Sequence, residues 1–144
     1  RFDPKRESYR KFQTSYERFQ VAFVAFFLGL HIITLTQYDN PDSVVRLILL
    51  GMGLFFAAIG NDMGRYRQTF FMGIRTPWTL ADERVWKQTH RIAARWFVLV
   101  GIAVALMALL LPIPVAGVLS FVLLMVLVVG VYAYSYLLFR RTNA

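Results

Sequence analysis

The sequence predicts an all-α protein: a four-span transmembrane helical bundle with an ordered cytoplasmic loop and amphipathic helix extensions. Three observations predict it. Of the 144 residues 58% are hydrophobic, and the mean hydropathy is +0.52. The apolar residues gather in four runs, 19–36, 44–60, 96–111 and 115–139, each close to the roughly 20 residues that cross a hydrocarbon core at about 1.5 Å per residue. Charge is sorted between the runs. Six basic residues precede the first, seven lie between Asn61 and Arg95, and Arg140 and Arg141 follow the fourth. The connection "QYDNPDS" carries only Asp39 and Asp42, and the "PIP" turn carries no charge. Lysine and arginine are retained on the cytoplasmic side, so both termini and the central loop, 61–91, are expected there, which requires an even number of spans.

The first helix is expected to start at Asp3-Pro4, with aspartate as cap and proline at the first helical position, where its missing N–H costs nothing. Tyr9, Phe12, Tyr16, Phe19, Phe23 and Phe26 then recur at three- and four-residue steps, drawing one aromatic stripe along a single helix, 4–36, of roughly 50 Å. Glu7 and Lys11 form a weak i,i+4 pair on its polar side. His31 falls deep in this span, where an imidazole is costly unless it faces other helices. No run begins the chain as a signal peptide would, and the chain opens on Arg1 rather than methionine, as a processed or truncated product does.

The second run begins near Arg46 and ends at Gly60-Asn61, a pair expected to close the helix in left-handed geometry. The octet "GIRTPWTL", Gly73 to Leu80, follows. Pro77 holds Thr76 out of helical geometry, and Thr79 with Asp82 three residues on reads as a capping-box-like start to the third helix. From there Arg84, Lys87, Arg91 and Arg95 fall on one line, with Val85, Thr89, Ile92 and Trp96 on an adjoining face and Trp86, His90, Ala93 and Phe97 on another. A basic line beside apolar faces suits a helix lying at an anionic leaflet before it dives, with arginine stems reaching to phosphates. Counting about 30 Å back from Leu111 puts the start of the span near Ile92, so this span is 92–111. Pro112 and Pro114 limit the next turn to a few residues, making the third and fourth spans antiparallel neighbours.

Gly29, Gly51, Gly53, Gly60, Gly117 and Gly130 offer close-packing surfaces between spans. The chain has no cysteine and only two histidines, His31 and His90, placed near opposite ends of the membrane plan. No metal site and no cofactor is expected. The net charge is +8, but the same charge orients the spans and meets anionic lipid, so no direct nucleic-acid partner is expected. Trp78 and Trp86 belong either to the interfacial aromatic belt or to a binding surface. Arg75 pairs either with Asp82 or Glu83, or with a lipid phosphate or a partner's carboxylate. His90 beside Arg91 could serve a lipid-directed hydrolase as base, but no nucleophile, second base or metal cluster keeps it company, so no enzyme is expected.

The segment "GNDMGRYRQTFFMGIRTPWTLADERVWKQTHRIAARW", 60–96, resembles the SdpI immunity-protein family of bacterial integral membrane proteins. The octet, Val85-Trp86 and Thr89-His90-Arg91 carry the resemblance, which extends more loosely over most of the chain and implies one such domain, 1–144, in a bacterial cytoplasmic membrane. Family members usually carry two further spans before this region. Thr69 stands where an asparagine is usual, and Ala93 or Ala94 where a glycine is. The resemblance implies protection of a producing cell against its own secreted peptide toxin, with capture of a transcriptional repressor at the inner membrane face. The residues expected to shape the binding loop are Asn61, Arg75, Thr76, Pro77, Trp78, Thr79, Trp86, Thr89, His90 and Arg91. The competing expectation is a structural accessory subunit of a larger membrane complex, its loop clamping neighbours.

Overall fold

A computed structural model describes residues 6–65 and 73–142, with side chains from residue 17 onward. The Asp3-Pro4 start, the Glu7–Lys11 pair, the aromatic stripe before Phe19 and Thr69 lie outside the described residues and side chains. Among the described residues five helices follow one another: α1 Arg6–Thr36, α2 Pro41–Met63, α3 Pro77–Ala81, α4 Glu83–Leu110 and α5 Ile113–Thr142. All but α3 are long and apolar enough to cross a membrane, and the four expected spans lie within them, give or take a residue at the end of α4. The protein is a multi-pass helical membrane bundle.

Short turns force α1 against α2, and α4 against α5, in antiparallel pairs. Asn40 caps α2, its side-chain carbonyl accepting from the Ser43 amide (3.2 Å), with Pro41 opening the helix. The main joint of the molecule is between α2 and α4, and glycine makes it. A Cβ on Gly53 would stand 2.5 Å from the Gly101 carbonyl oxygen and 2.6 Å from the Ala105 nitrogen. One on Gly60 would stand 2.7 Å from Phe97 Cβ and 2.8 Å from the Val98 nitrogen. Gly101, which the expected set omitted, makes the same approach from the α4 side. Gly29, Gly117 and Gly130 face open space instead.

The core lies among α2, α4 and α5, where Met63, Ala93, Val100, Val104, Leu127 and Val131 are buried together. Among the described residues, helix α1 packs on α2 and on no other helix, through rings: Phe26 stacks on Phe55 (centroids 4.5 Å apart) and Phe23 tilts toward it (6.3 Å). His31 therefore departs from expectation. It is exposed on α1, because α1 has a neighbour on one side only.

Two further differences concern helix ends. Asn61 does not close α2; the helix runs through Met63 and ends at Gly64 in right-handed geometry. The reason is local: Met63 is drawn into the core, and Asp62 is held by Arg18 of α1 (3.6 Å) and by Arg65 (3.5 Å). Arg46 does not merely start a span. Its guanidinium donates to the Ala108 carbonyl and reaches those of Leu109 (3.4 Å) and Leu111 (3.5 Å). These are the acceptors a helix C-terminus leaves unsatisfied, and a cation there also meets the negative end of the helix dipole.

Candidate functional site

At the end of the molecule where α2 finishes and α4 begins, the octet folds into a clasp over two helices. It starts at Gly73, the one described residue with positive φ (+111°). That geometry lays the following backbone across α4. The Ile74 amide donates to His90 Nε2 (2.9 Å), and His90 Nδ1 lies 2.9 Å from the Trp86 carbonyl oxygen. An amide can only donate and a carbonyl can only accept. The ring is therefore neutral, with its proton on Nδ1. Trp86 stacks on the same ring, centroids 4.0 Å apart, and both are buried, at 0% and 2% exposure.

Past Arg75 the chain turns into α3. Thr76, in extended geometry, caps it: Thr76 Oγ1 accepts from the Thr79 amide (3.2 Å), and Thr79 Oγ1 accepts from the Thr76 amide (2.9 Å). This reciprocal pair replaces the expected Thr79–Asp82 box. Thr79 is the far member of the Thr76 box, and Asp82 begins a separate helix. Its carboxylate accepts from the Arg84 amide (2.7 Å) as the cap of α4. That backbone hydrogen bond, chiefly, holds the Asp82 carboxyl below the ordinary carboxylate range. A lowered folded pKa means the cap is complete at neutral pH and is lost only as pH falls through that value.

Helix α3 then fastens to α5. The Trp78 indole N–H donates to Ser135 Oγ (2.5 Å), and the Ser135 hydroxyl donates in turn to the Tyr132 carbonyl (2.7 Å). Tyr132 and Tyr136 meet the indole edge-on, at 5.2 and 5.1 Å. Replacing Ser135 by alanine leaves the indole N–H without its acceptor. A loss of about 1–3 kcal/mol is expected, read as a lower melting temperature in detergent, with less change for Ser135→Thr.

The ten expected residues thus separate. Thr76, Thr79, Trp86, Thr89 and His90 are buried, Trp78 is half-buried, and Asn61, Arg75, Pro77 and Arg91 are exposed. The buried members pack inside the bundle. Trp86 is fully buried, Trp78 packs half-buried against α5, and Trp96 is 54% exposed on α4. Thr89 Oγ1 is buried with no hydrogen-bond partner among the described residues. Arg75 pairs with neither expected acid: Asp82 serves α4 and Arg84, and Glu83 reaches Lys87 (2.8 Å). Arg84, Lys87, Arg91 and Arg95 are all exposed, as the basic line requires. Among the described residues no group of His, Asp and Glu could hold a metal ion. Ser135 was missed. Its signal was a lone serine among tyrosines, "YAYSY", in an apolar run.

The SdpI/YfhL protein family matches residues 65–135. The chain is also 34% identical, over 116 residues, to the Immunity protein SdpI of Bacillus subtilis (strain 168), an overlap of 81% of this chain and 54% of that protein. The chain spans about half the length of this curated relative. No solved structure matches it. The family match runs from Arg65 to Ser135, the anchor of the clasp on α5; through that segment the chain is similar to the SdpI/YfhL protein family.

Proposed function

We propose that the protein is a non-enzymatic immunity and signalling protein, which protects a bacterial cell against a membrane-active peptide toxin and holds a transcriptional repressor at the inner membrane face. The observation that carries this reading is the 34% identity to an immunity protein across 81% of the chain. The geometry of the clasp supports it in two ways. His90, the imidazole that a hydrolytic reading would use, has each ring nitrogen at hydrogen-bond distance from a backbone group, which leaves no free base for proton transfer. Arg75 is exposed at the crest of the clasp, with no ion pair among the described residues, so its planar fork is open to an acidic partner. In this reading the basic end faces the cytoplasm, because arginine and lysine are retained there.

Arg75→Ala separates the two activities. It removes a charge that no ion pair among the described residues uses, so repressor capture is expected to weaken at least roughly tenfold, the equivalent of about 1.4 kcal/mol, while toxin tolerance is kept. Cell survival under toxin and recovery of repressor with membranes measure the two. Equal loss of both would reduce the clasp to a structural part. Recovery of the chain only within a large membrane assembly would favour an accessory subunit instead.

A further inference from the structure

On the membrane-facing side of α4 and α5 the two helices part to leave a groove of about 340 Å³, with Ile92, Trp96 and Val100 on one wall and Leu123, Gly130 and Tyr134 on the other. Nothing occupies the space over Gly130: a Cβ there would meet no atom within 4 Å. From Leu123 to Tyr134 the groove follows α5 for about 16 Å at 1.5 Å per residue. That is about half of a hydrocarbon core of roughly 30 Å, or one leaflet. Its shallow end is marked by Trp96 and Tyr134, aromatic types that settle at the headgroup level.

Charge accumulates at that same end. Arg91 and Arg95 are exposed on the turns of α4 that border the groove, and Arg141 is exposed seven residues beyond Tyr134, on the same face of α5. No acidic residue follows Glu83 in the sequence, so no carboxylate of either wall competes for these guanidinium groups. A partner helix is a poor match for the cleft. Such a helix is about 10 Å across and needs a seat through the full membrane, whereas this groove has the length of one leaflet. An acyl chain capped by a phosphate fits both its length and its charge.

We propose that the groove between α4 and α5 binds one anionic phospholipid from the leaflet on the basic side, its acyl chain along Gly130 and its phosphate held by Arg91 and Arg95. The site is separate from the clasp and does not depend on the immunity reading. Native mass spectrometry of the purified chain in detergent, with phosphatidylglycerol or phosphatidylcholine of identical chains, tests it. One phosphatidylglycerol per chain is expected, retained roughly tenfold more than phosphatidylcholine, whose own choline cation offsets its phosphate, because two arginines favour a net-anionic headgroup. Gly130→Leu fills the groove and is expected to abolish retention of both lipids without lowering the melting temperature. Val126→Phe, on the rim, blocks it from a second position. Arg91→Gln with Arg95→Gln is expected to erase the headgroup preference while the chain still binds. Equal retention of both lipids by the unaltered protein, or undiminished phosphatidylglycerol on both groove-filling variants, overturns the proposal. So does a second protein copy in the lipid's place.

Discussion

Gly73→Ala is expected to unseat the clasp and to cost about 2–6 kcal/mol. Two independent terms add. At φ +111° a residue with a Cβ is strained by about 1–3 kcal/mol. The new methyl would also stand inside contact distance of His90 Nε2, and 2.8 and 2.9 Å from Trp86 Cη2 and Cζ2. Those rings are stacked and buried, so neither can swing aside freely, and crowding of this kind costs about another 1–3 kcal/mol. Any retreat of His90 also removes the acceptor of the Ile74 amide. The measurement is thermal melting in detergent alongside protease cutting of the octet. Gly130→Ala, where the methyl meets nothing, is the control and is expected to stay within about 0.5 kcal/mol. A Gly73→Ala protein that melts with the control would mean that the backbone does not cross α4 as described.

Gly101→Val is expected to have an effect at least as large, about 3 kcal/mol or more, by a different route. A Cβ at this position would lie 2.5 Å from both the Ala57 nitrogen and the Gly53 carbonyl oxygen. The obstacle is backbone, which cannot rotate away as a side chain does, so α2 and α4 must separate. Separation loses the dispersion contacts that replace hydrophobic driving force between helices in lipid. Coupling gives a sharper check. Once Gly101→Ala has parted the helices, Gly53→Ala has less left to disrupt, so the double variant is expected to cost less than the sum of the singles. Strict additivity of the melting losses would place the two glycines in separate environments and contradict the joint.

How much of this could be read from the residues follows from what each feature depends on. The four spans were legible because apolar run length and charge placement are properties of consecutive residues. Gly53 and Gly60 were legible as small residues, but Gly101 was not, since the helix face it occupies is fixed only once α2 is in place. Within the octet, Pro77 and Thr76 announced a turn through local geometry. The inward direction of Trp86 and His90 did not show, because a ring pair four residues apart gives a helix face but not its cover. That cover is the backbone at Ile74, admitted by Gly73. The end of α2 was misplaced by three residues for a similar reason: Asn61 ends a helix well in isolation, yet Met63 two residues later has a place in the core.

The order of the joints along the chain bears on how the protein is made. Helices α1 and α2 leave the ribosome together and can enter the bilayer as a hairpin while α4 is still untranslated. Until then the bare backbone around Gly53 and Gly60 lacks the α4 backbone that covers it. Synthesis at about 5–20 residues per second leaves that seam uncovered for several seconds. A nascent chain stalled inside the octet is therefore expected to keep this seam open until α4 is made.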